Sequence, residues 1–229
     1  MGVMDPVRVV VVEDEPLYRD LLVSALVARI PDTVLVGNFG SAEETLLVAQ
    51  ELRPDVLLTD IDLGGGMTGP ALGVEMRRHT TTRGVVLLSN LSLPAVLTTL
   101  PTDVQGGWSY LLKTSITDIP MLGNAIAAAA EGRILLDEHL VDDLVPETSG
   151  RLGRLTPRQL EVLSRMARGW SNRRVADDLD LTTRSVESLV SHIITNLDLG
   201  ISDDGINTRV ACVLMYIEHT VARSTQRLR

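Results

Sequence analysis

Lysine is almost missing from this 229-residue chain: Lys113 stands alone, and all the other basic residues are arginines. Cysteine is as scarce. With Cys212 alone, an internal disulfide framework is excluded, and no Cys/His cluster has the spacing of a zinc site. The apolar neighbours of Cys212 mark it as a small buried hydrophobe, not a reactive thiol. The four histidines (His79, His139, His192 and His219) are scattered, and none reads as catalytic or metal-binding. Aromatics make up 3% of the chain, so a core must come mainly from Val, Leu, Ile and Ala; the 45% apolar fraction is ample for one. No apolar run approaches the roughly 20 residues of a membrane span. No N-terminal signal peptide is visible either, because a charged strand edge follows Met1 within about a dozen residues. The expectation is a soluble, cytoplasmic protein with no membrane role.

The net charge of −9 is unevenly spread. Residues 1–150 hold 9 basic and 21 acidic side chains, while 151–229 hold 12 basic and 9 acidic. Two regions of opposite sign imply two tasks, and only the second suits a polyanionic partner.

Patterning separates the same two regions. Strand-like apolar runs at Val7–Val12, Val34–Gly37, Asp55–Thr59, Gly84–Leu88 and Trp108–Leu112 alternate with helical stretches near 16–29, 42–51, 68–79, 94–100 and 118–131. Such alternation predicts βαβ units and a five-stranded, doubly wound parallel sheet over residues 1–131. Residues 132–153 read as a linker: an acidic, helix-prone piece, then Pro146-Glu147-Thr148-Ser149-Gly150. From 154 to 229 the signals are all helical. Thr156-Pro157-Arg158-Gln159 is a capping box with proline at the first helical position. Ser171 caps a short helix ending near Leu179, and Thr182 one running to about Leu197. A last helix over 205–222 lines up Ile206, Val210, Val213, Leu214, Ile217 and Val221, a face for core packing or a dimer seam.

Ligands of parallel α/β sheets bind beyond the carboxyl ends of the strands, near the topological switch point. Here those ends are Glu13-Asp14-Glu15, then Asp60 with Asp62 two residues on, then Ser89-Asn90, then Lys113. Crowded carboxylates repel one another, and a divalent cation resolves the conflict. Hard oxygen ligands that leave room for water and substrate oxygens favour Mg²⁺. With the ion held by Glu13, Asp14 and Asp60, an oxygen of Asp60 is placed to attack a phosphoryl group. Lys113, a compact ammonium, would neutralise charge on the phosphoryl oxygens, and Ser89 would donate a hydrogen bond to one of them.

The segments RVVVVEDEP, PDVLLTDIDL, VVLLSN and GWSYLLK, in this order and spacing, resemble the receiver domain of two-component response regulators over residues 7–131. The resemblance implies a flavodoxin-like fold with Asp60 as phosphoacceptor. It also implies Glu13, Asp14 and Asp60 as Mg²⁺ ligands, joined by the main-chain carbonyl of Asp62. Ser89 and Tyr110 would be the switch pair, and Lys113 the phosphoryl-binding lysine. Two features depart from the pattern: Leu63-Gly64-Gly65-Gly66-Met67-Thr68-Gly69 replaces the usual Met-Pro loop and is one residue longer, and Thr114 stands where proline is common.

Residues 154–217, beginning LTPRQLEVLSRMARGWSNRRVADDLDLTTRSVESLVSHIITNLDL, resemble the LuxR-type helix-turn-helix domain. The pair of domains resembles the NarL/FixJ type of response regulator. By that likeness the helix after Thr182 enters the major groove of double-stranded promoter DNA. Arg173, Arg174, Thr182, Thr183 and Arg184 are the candidates for phosphate contact, and Ser188 and Ser191 for base edges. Glu187 and Leu189 depart from the Lys and His that the family often carries there. The implied partners are a sensor histidine kinase, promoter DNA and a second copy of the active chain. Two rivals remain. A receiver with a protein-binding output domain is one. The other is an aspartyl phosphohydrolase of the haloacid dehalogenase type, which Asp60-Ile61-Asp62 superficially resembles. Chain order opposes the second, because those enzymes place the nucleophile strand before the metal acids. The expected molecule is a regulator, not a turnover enzyme.

Overall fold

The structure is a computed structural model and describes residues 5–90, 94–146, 150–199 and 207–222. These fall into two compact units. One contains 5–90 and 107–133, and the other contains 94–106, 134–146, 150–199 and 207–222.

In the first unit the expected apolar runs form β1 (Val7–Val12), β2 (Thr33–Phe39), β3 (Val56–Asp60), β4 (Gly84–Ser89) and β5 (Trp108–Leu112). Between and after them lie α1 (Pro16–Arg29), α2 (Ala42–Leu52), α3 (Gly69–His79) and α4 (Ile119–Ala130). All four strand pairings are parallel, in the order β2-β1-β3-β4-β5. A further short strand, β6 (Leu135–Leu136), falls in the second unit and brings the strand count to six where five were expected. The chain turns through Gly132 at φ 75° and then straightens into buried Ile134, Leu135 and Leu136. Two residues are too few to reveal alternation in a sequence.

Val9–Val12, Val56–Leu58 and Val85–Leu88 are wholly buried, as strands covered on both faces must be. Helix starts are fixed locally: the side chains of Ser41, Thr68 and Asp118 accept from main-chain N–H groups of Glu44, Ala71 and Met121. Two glycines let the layers close. A Cβ on Gly84 would lie 2.5 Å from main-chain atoms of Ala129 in α4, and one on Gly73 would lie 2.6 Å from the ring of fully buried Trp108. Because β1 has β2 on one side and β3 on the other, the switch point falls between β1 and β3. That places the residues after β1 and at the end of β3 together.

Between β4 and β5 the expected helix at 94–100 does not form. Two 3₁₀ turns, Pro94–Thr99 and Thr102–Val104, take its place. Pro94 and Pro101 leave too little chain for a regular helix, and β-branched Val96, Thr98 and Thr99 add little propensity. These turns belong to the second unit, where buried Pro94 and Leu97 lie.

The second unit continues with α5 (Glu138–Asp143) and β7 (Leu144–Pro146), so much of the stretch read as linker has regular structure. Fully buried Asp137 caps α5, accepting from the N–H of His139 at 2.9 Å. Arg168 Nη2 meets Asp142 Oδ1 at 2.7 Å. The capping box at Thr156 and Gln159 opens α6 (Pro157–Ala167), as the sequence predicts. Next come α7 (Asn172–Asp178), capped by Ser171, and α8 (Thr183–Asn196), capped by Thr182. The last helix, α9 (Thr208–Glu218), is shorter than its expected 205–222. It gives way to β8 (Thr220–Ala222), which pairs antiparallel with β7. Val210, Val213, Leu214 and Ile217 are buried against α6, α8 and the Pro94–Thr99 turn, which makes this face core. Ile206 and the side chain of Val221 lie outside the described residues. Among the described residues no helix is long and apolar enough to cross a membrane.

Candidate functional site

Three elements deliver charge to one point of the first unit. Glu13 and Asp14 follow β1, Asp60 ends β3, and Lys113 follows β5. Lys113 Nζ lies 2.6 Å from Asp60 Oδ2 and bridges to Glu13, with Oε2 at 2.9 Å and Oε1 at 3.0 Å. Glu13 is wholly buried, Asp60 is 8% exposed and Asp14 is open to solvent. Carboxylate oxygens of these three acids lie within 4.8 Å of one another. Such a set fits a hard divalent cation. Glu13 Oε2 fits best: it touches Nζ as an ion but lies outside hydrogen-bond geometry, so a buried oxygen retains unused acceptor capacity.

Burial lifts the Glu13 carboxyl above the ordinary carboxylate range. The hydrogen bond and charge of Lys113 pull it back, and the charge of Asp60 lifts it further. For Lys113, burial favours the neutral amine, but the hydrogen bonds and charges of Asp60 and Glu13 prevail and raise its pKa. The ammonium is therefore secure at neutral pH. A raised carboxyl pKa means that the folded protein holds the proton more tightly than the unfolded chain does. Stability from this group is then lost as pH rises from the ordinary carboxylate range through the folded value. At neutral pH, Glu13→Gln keeps the shape without the charge, and it is expected to melt above wild type in the absence of divalent cations. It should also lose most of the cation-induced stabilisation that a filled site supplies, about 2.7 kcal/mol at 100-fold excess over Kd. Thermal scans with and without Mg²⁺ test both; a lower melting point in chelator would contradict the sign.

The surrounding loop is shaped by backbone requirements. Gly64, Gly65 and Gly66 all have positive φ, at 76°, 116° and 97°. A Cβ on Gly64 would come 2.6 Å from Asp14 Oδ2. Asp62 steadies the turn: its N–H donates to Asp60 Oδ1 at 3.3 Å, and its own Oδ1 accepts from Gly64 N–H at 3.2 Å. Ser89 pairs in register with Leu112, next to the Asp60–Leu88 pair, so it ends β4 beside the cluster. Tyr110 is buried within β5, two residues before Leu112.

Two residues of the site escape a reading by sequence. Tyr18, in the first turn of α1, donates its hydroxyl to the main-chain oxygen of Lys113 at 3.0 Å. Its ring centroid lies 4.5 Å from Nζ. Arg19 Nη1 donates to the main-chain oxygen of Glu13 at 2.6 Å. Neither sits at a strand end, where the search for polar groups is natural. The available signal is their place one turn beyond the acid pair.

In the second unit, α8 exposes Thr183, Arg184, Glu187, Ser188, Ser191 and His192 along one side. The Thr182 hydroxyl is used as the cap, accepting from Ser185 N–H at 3.1 Å, and Ser191 Oγ donates back to Glu187 O at 3.0 Å. Arg173 is exposed. Arg174 is engaged: its guanidinium stacks 4.1 Å from the Trp170 ring and lies 3.6 Å from Glu138 Oε1. His192 had no role assigned from sequence, because an isolated histidine carries no spacing signal.

A parallel sheet with acids and one lysine at its switch point, chained to a helical unit with a capped exposed helix, is the build of a two-part signalling protein. Comparison with known families agrees. The response regulator receiver domain family matches residues 9–122, and the LuxR family of bacterial regulatory proteins matches residues 154–203. The nitrate/nitrite response regulator NarL of Escherichia coli K12 is 28% identical over 207 residues, covering 87% of this chain and 93% of NarL. The transcriptional regulatory protein LiaR of Bacillus subtilis is 28% identical over 204 residues, covering 84% of this chain and 92% of LiaR. A structure of the RcsB response regulator of Salmonella typhimurium superposes with a TM-score of 0.51 at 22% identity, covering 92% of this chain and 97% of that one, and supports the fold. The chain belongs to the NarL/FixJ-type response regulators, which join a receiver domain to a LuxR-type helix-turn-helix domain.

Proposed function

We propose that Asp60 accepts a phosphoryl group from a sensor histidine kinase and that this event controls dimerisation and promoter binding by the C-terminal helices. The observation that carries the reading is the bridge of Lys113 Nζ to Asp60 and Glu13 inside a three-carboxylate cluster. An oxygen of the Asp60 carboxylate attacks phosphorus, and an O–P bond forms as the P–N bond of the phosphohistidine breaks. The leaving imidazole nitrogen keeps the electron pair and takes a proton. Lys113 holds its ammonium against the developing charge on the phosphoryl oxygens, and the Ser89 hydroxyl donates to one of them. Glu13, Asp14 and Asp60, with the main-chain carbonyl of Asp62, would hold Mg²⁺. When bound, that ion supplies charge neutralisation and alignment of the phosphoryl oxygens.

Rearrangement of Ser89 and Tyr110 around the new phosphate shifts an equilibrium between inactive and active forms. In the active form, α8 enters the major groove. Arg173, Arg174, Thr182, Thr183 and Arg184 contact phosphates, and Ser188 and Ser191 face base edges. For Arg174 this requires release from Trp170 and Glu138. RcsB, a protein of the same fold, has been captured as dimers bound to DNA, which supports the same output here. The chain acts as a switch in the cytoplasm and does not turn over phosphomonoesters.

The test is incubation of the full chain with a small acyl phosphate and Mg²⁺, followed by peptide mapping of the label. The expected outcome is a label on Asp60 that needs Mg²⁺, a rise in dimer, and tighter, salt-sensitive binding to promoter fragments. A label elsewhere, or many turnovers of a phosphomonoester, would sink the reading.

A further inference from the structure

The first turn of α1 touches both halves of the Lys113–Glu13 ion pair. Arg19 holds Glu13 by its main-chain oxygen, and Tyr18 holds Lys113 at two places. At the backbone, the Tyr18 hydroxyl ties the Lys113 carbonyl at 3.0 Å. At the tip, the Tyr18 ring lies 4.5 Å from Nζ, while the carboxylates of Asp60 and Glu13 take up hydrogen-bonding directions of the same ammonium. A lysine has a long stem with several rotatable bonds, and its usefulness as a point charge depends on where that stem is held. Lys113 is only 10% exposed by side chain, so the ring is part of what encloses it. A cation over an aromatic face gains electrostatically, and more so where water is excluded.

We propose that Tyr18 is a positioning residue for phosphoryl transfer: its ring forms the wall that keeps the Lys113 ammonium aimed at the phosphoryl pocket, while its hydroxyl fixes the start of that side chain. The inference rests on the reading of Lys113 as the phosphoryl-binding cation. When the phosphoryl group arrives, Nζ must exchange a carboxylate oxygen for a phosphoryl oxygen. A wall that interacts with the cation through its face permits that small shift yet blocks wider excursions of the stem.

The single lysine makes a direct test available. Selective isotopic labelling of lysine gives one side-chain signal in the full chain, and that signal belongs to Lys113. In the wild type, the ring current of Tyr18 is expected to displace the Lys113 εCH₂ proton resonance upfield of its value in unfolded chain. Tyr18→Phe should keep the displacement, and Tyr18→Leu should abolish it. Phosphorylation by a small acyl phosphate should slow about threefold to tenfold in Tyr18→Leu and recover most of the way in Tyr18→Phe, as loss and retention of a partly desolvated cation–π contact imply. Mg²⁺-induced stabilisation should be the same in all three, because no carboxylate changes. An undisplaced wild-type signal overturns the proposal. So does Tyr18→Leu labelling at the wild-type rate after losing the displacement, or Tyr18→Phe as impaired as Tyr18→Leu. If wild type itself takes up no label on Asp60, the failure lies with the phosphoacceptor reading, and the resonance still reports whether Tyr18 covers Lys113.

Discussion

Asp60→Asn is expected to take phosphate incorporation from a small acyl phosphate to background while leaving the fold intact. An amide oxygen is a poor nucleophile and cannot become the mixed anhydride that a carboxylate forms. The shape is nearly conserved at a position that is 8% exposed, so packing is not disturbed. Nor does Lys113 lose its only partner, since Glu13 lies within 3.0 Å of the same ammonium. Removing one of three clustered carboxylates also relieves repulsion, and the variant should melt at or slightly above the wild-type temperature without Mg²⁺. In the same experiment, dimerisation and promoter binding should stay at their unphosphorylated levels whatever donor is added. Residual label mapped to Asp14 or Asp62 would show that the nucleophile had been misassigned within the cluster.

Much of this site is legible in the sequence because strand ends in a parallel sheet are marked twice. The apolar run stops, and an acid, hydroxyl or cation begins; Val12 to Glu13, Thr59 to Asp60, and Leu112 to Lys113 all have this form. Sheet order then brings the marked ends of β1 and β3 together. Tyr18 escapes because its partner is 95 residues away and its own helix gives it no special period. The two 3₁₀ turns at 94–104 escape for a different reason. Pro94-Ala95-Val96-Leu97-Thr98-Thr99-Leu100 has apolar spacing compatible with one helical face, and spacing alone does not distinguish a helix from a tight turn whose Leu97 is buried. The stretch 132–153 reads as linker from its acidic, helix-prone start and its Pro146-Glu147-Thr148-Ser149-Gly150 break, yet 134–146 carries regular structure. Its order comes from contacts that only the folded unit supplies: the buried cap Asp137, the Arg168–Asp142 pair and the β7–β8 ladder.

Replacing Lys113 should have the second-largest effect, and two replacements separate its charge from its shape. Lys113→Met deletes the cation opposite Asp60 and leaves Glu13 and Asp60 facing each other without a counter-ion. Loss of one partner from a buried pair costs about 3–5 kcal/mol in comparable sites, so the apo protein should be clearly destabilised and Mg²⁺ should restore part of the loss. Loss of one donor aimed at developing charge lowers rates by roughly 10²–10³ in well-studied sites, and the phosphorylation-dependent rise in DNA binding should fall by a comparable factor. Lys113→Arg keeps the charge but presents a wide planar fork to a pocket bounded by Glu13, Asp60 and the Tyr18 ring, all within 4.5 Å of Nζ. The fork can satisfy the carboxylates bidentately, which would hold Asp60 in the ground state in place of releasing it to the phosphoryl group. The arginine variant is therefore expected to be nearly as stable as wild type yet about tenfold or more impaired in phosphorylation-dependent dimerisation, within the range such donor losses span. Thermal scans, label incorporation and promoter binding on the three proteins decide the matter together. Wild-type output from Lys113→Arg would mean that charge alone suffices, and that the compact ammonium has no role beyond what any cation would play at the end of β5.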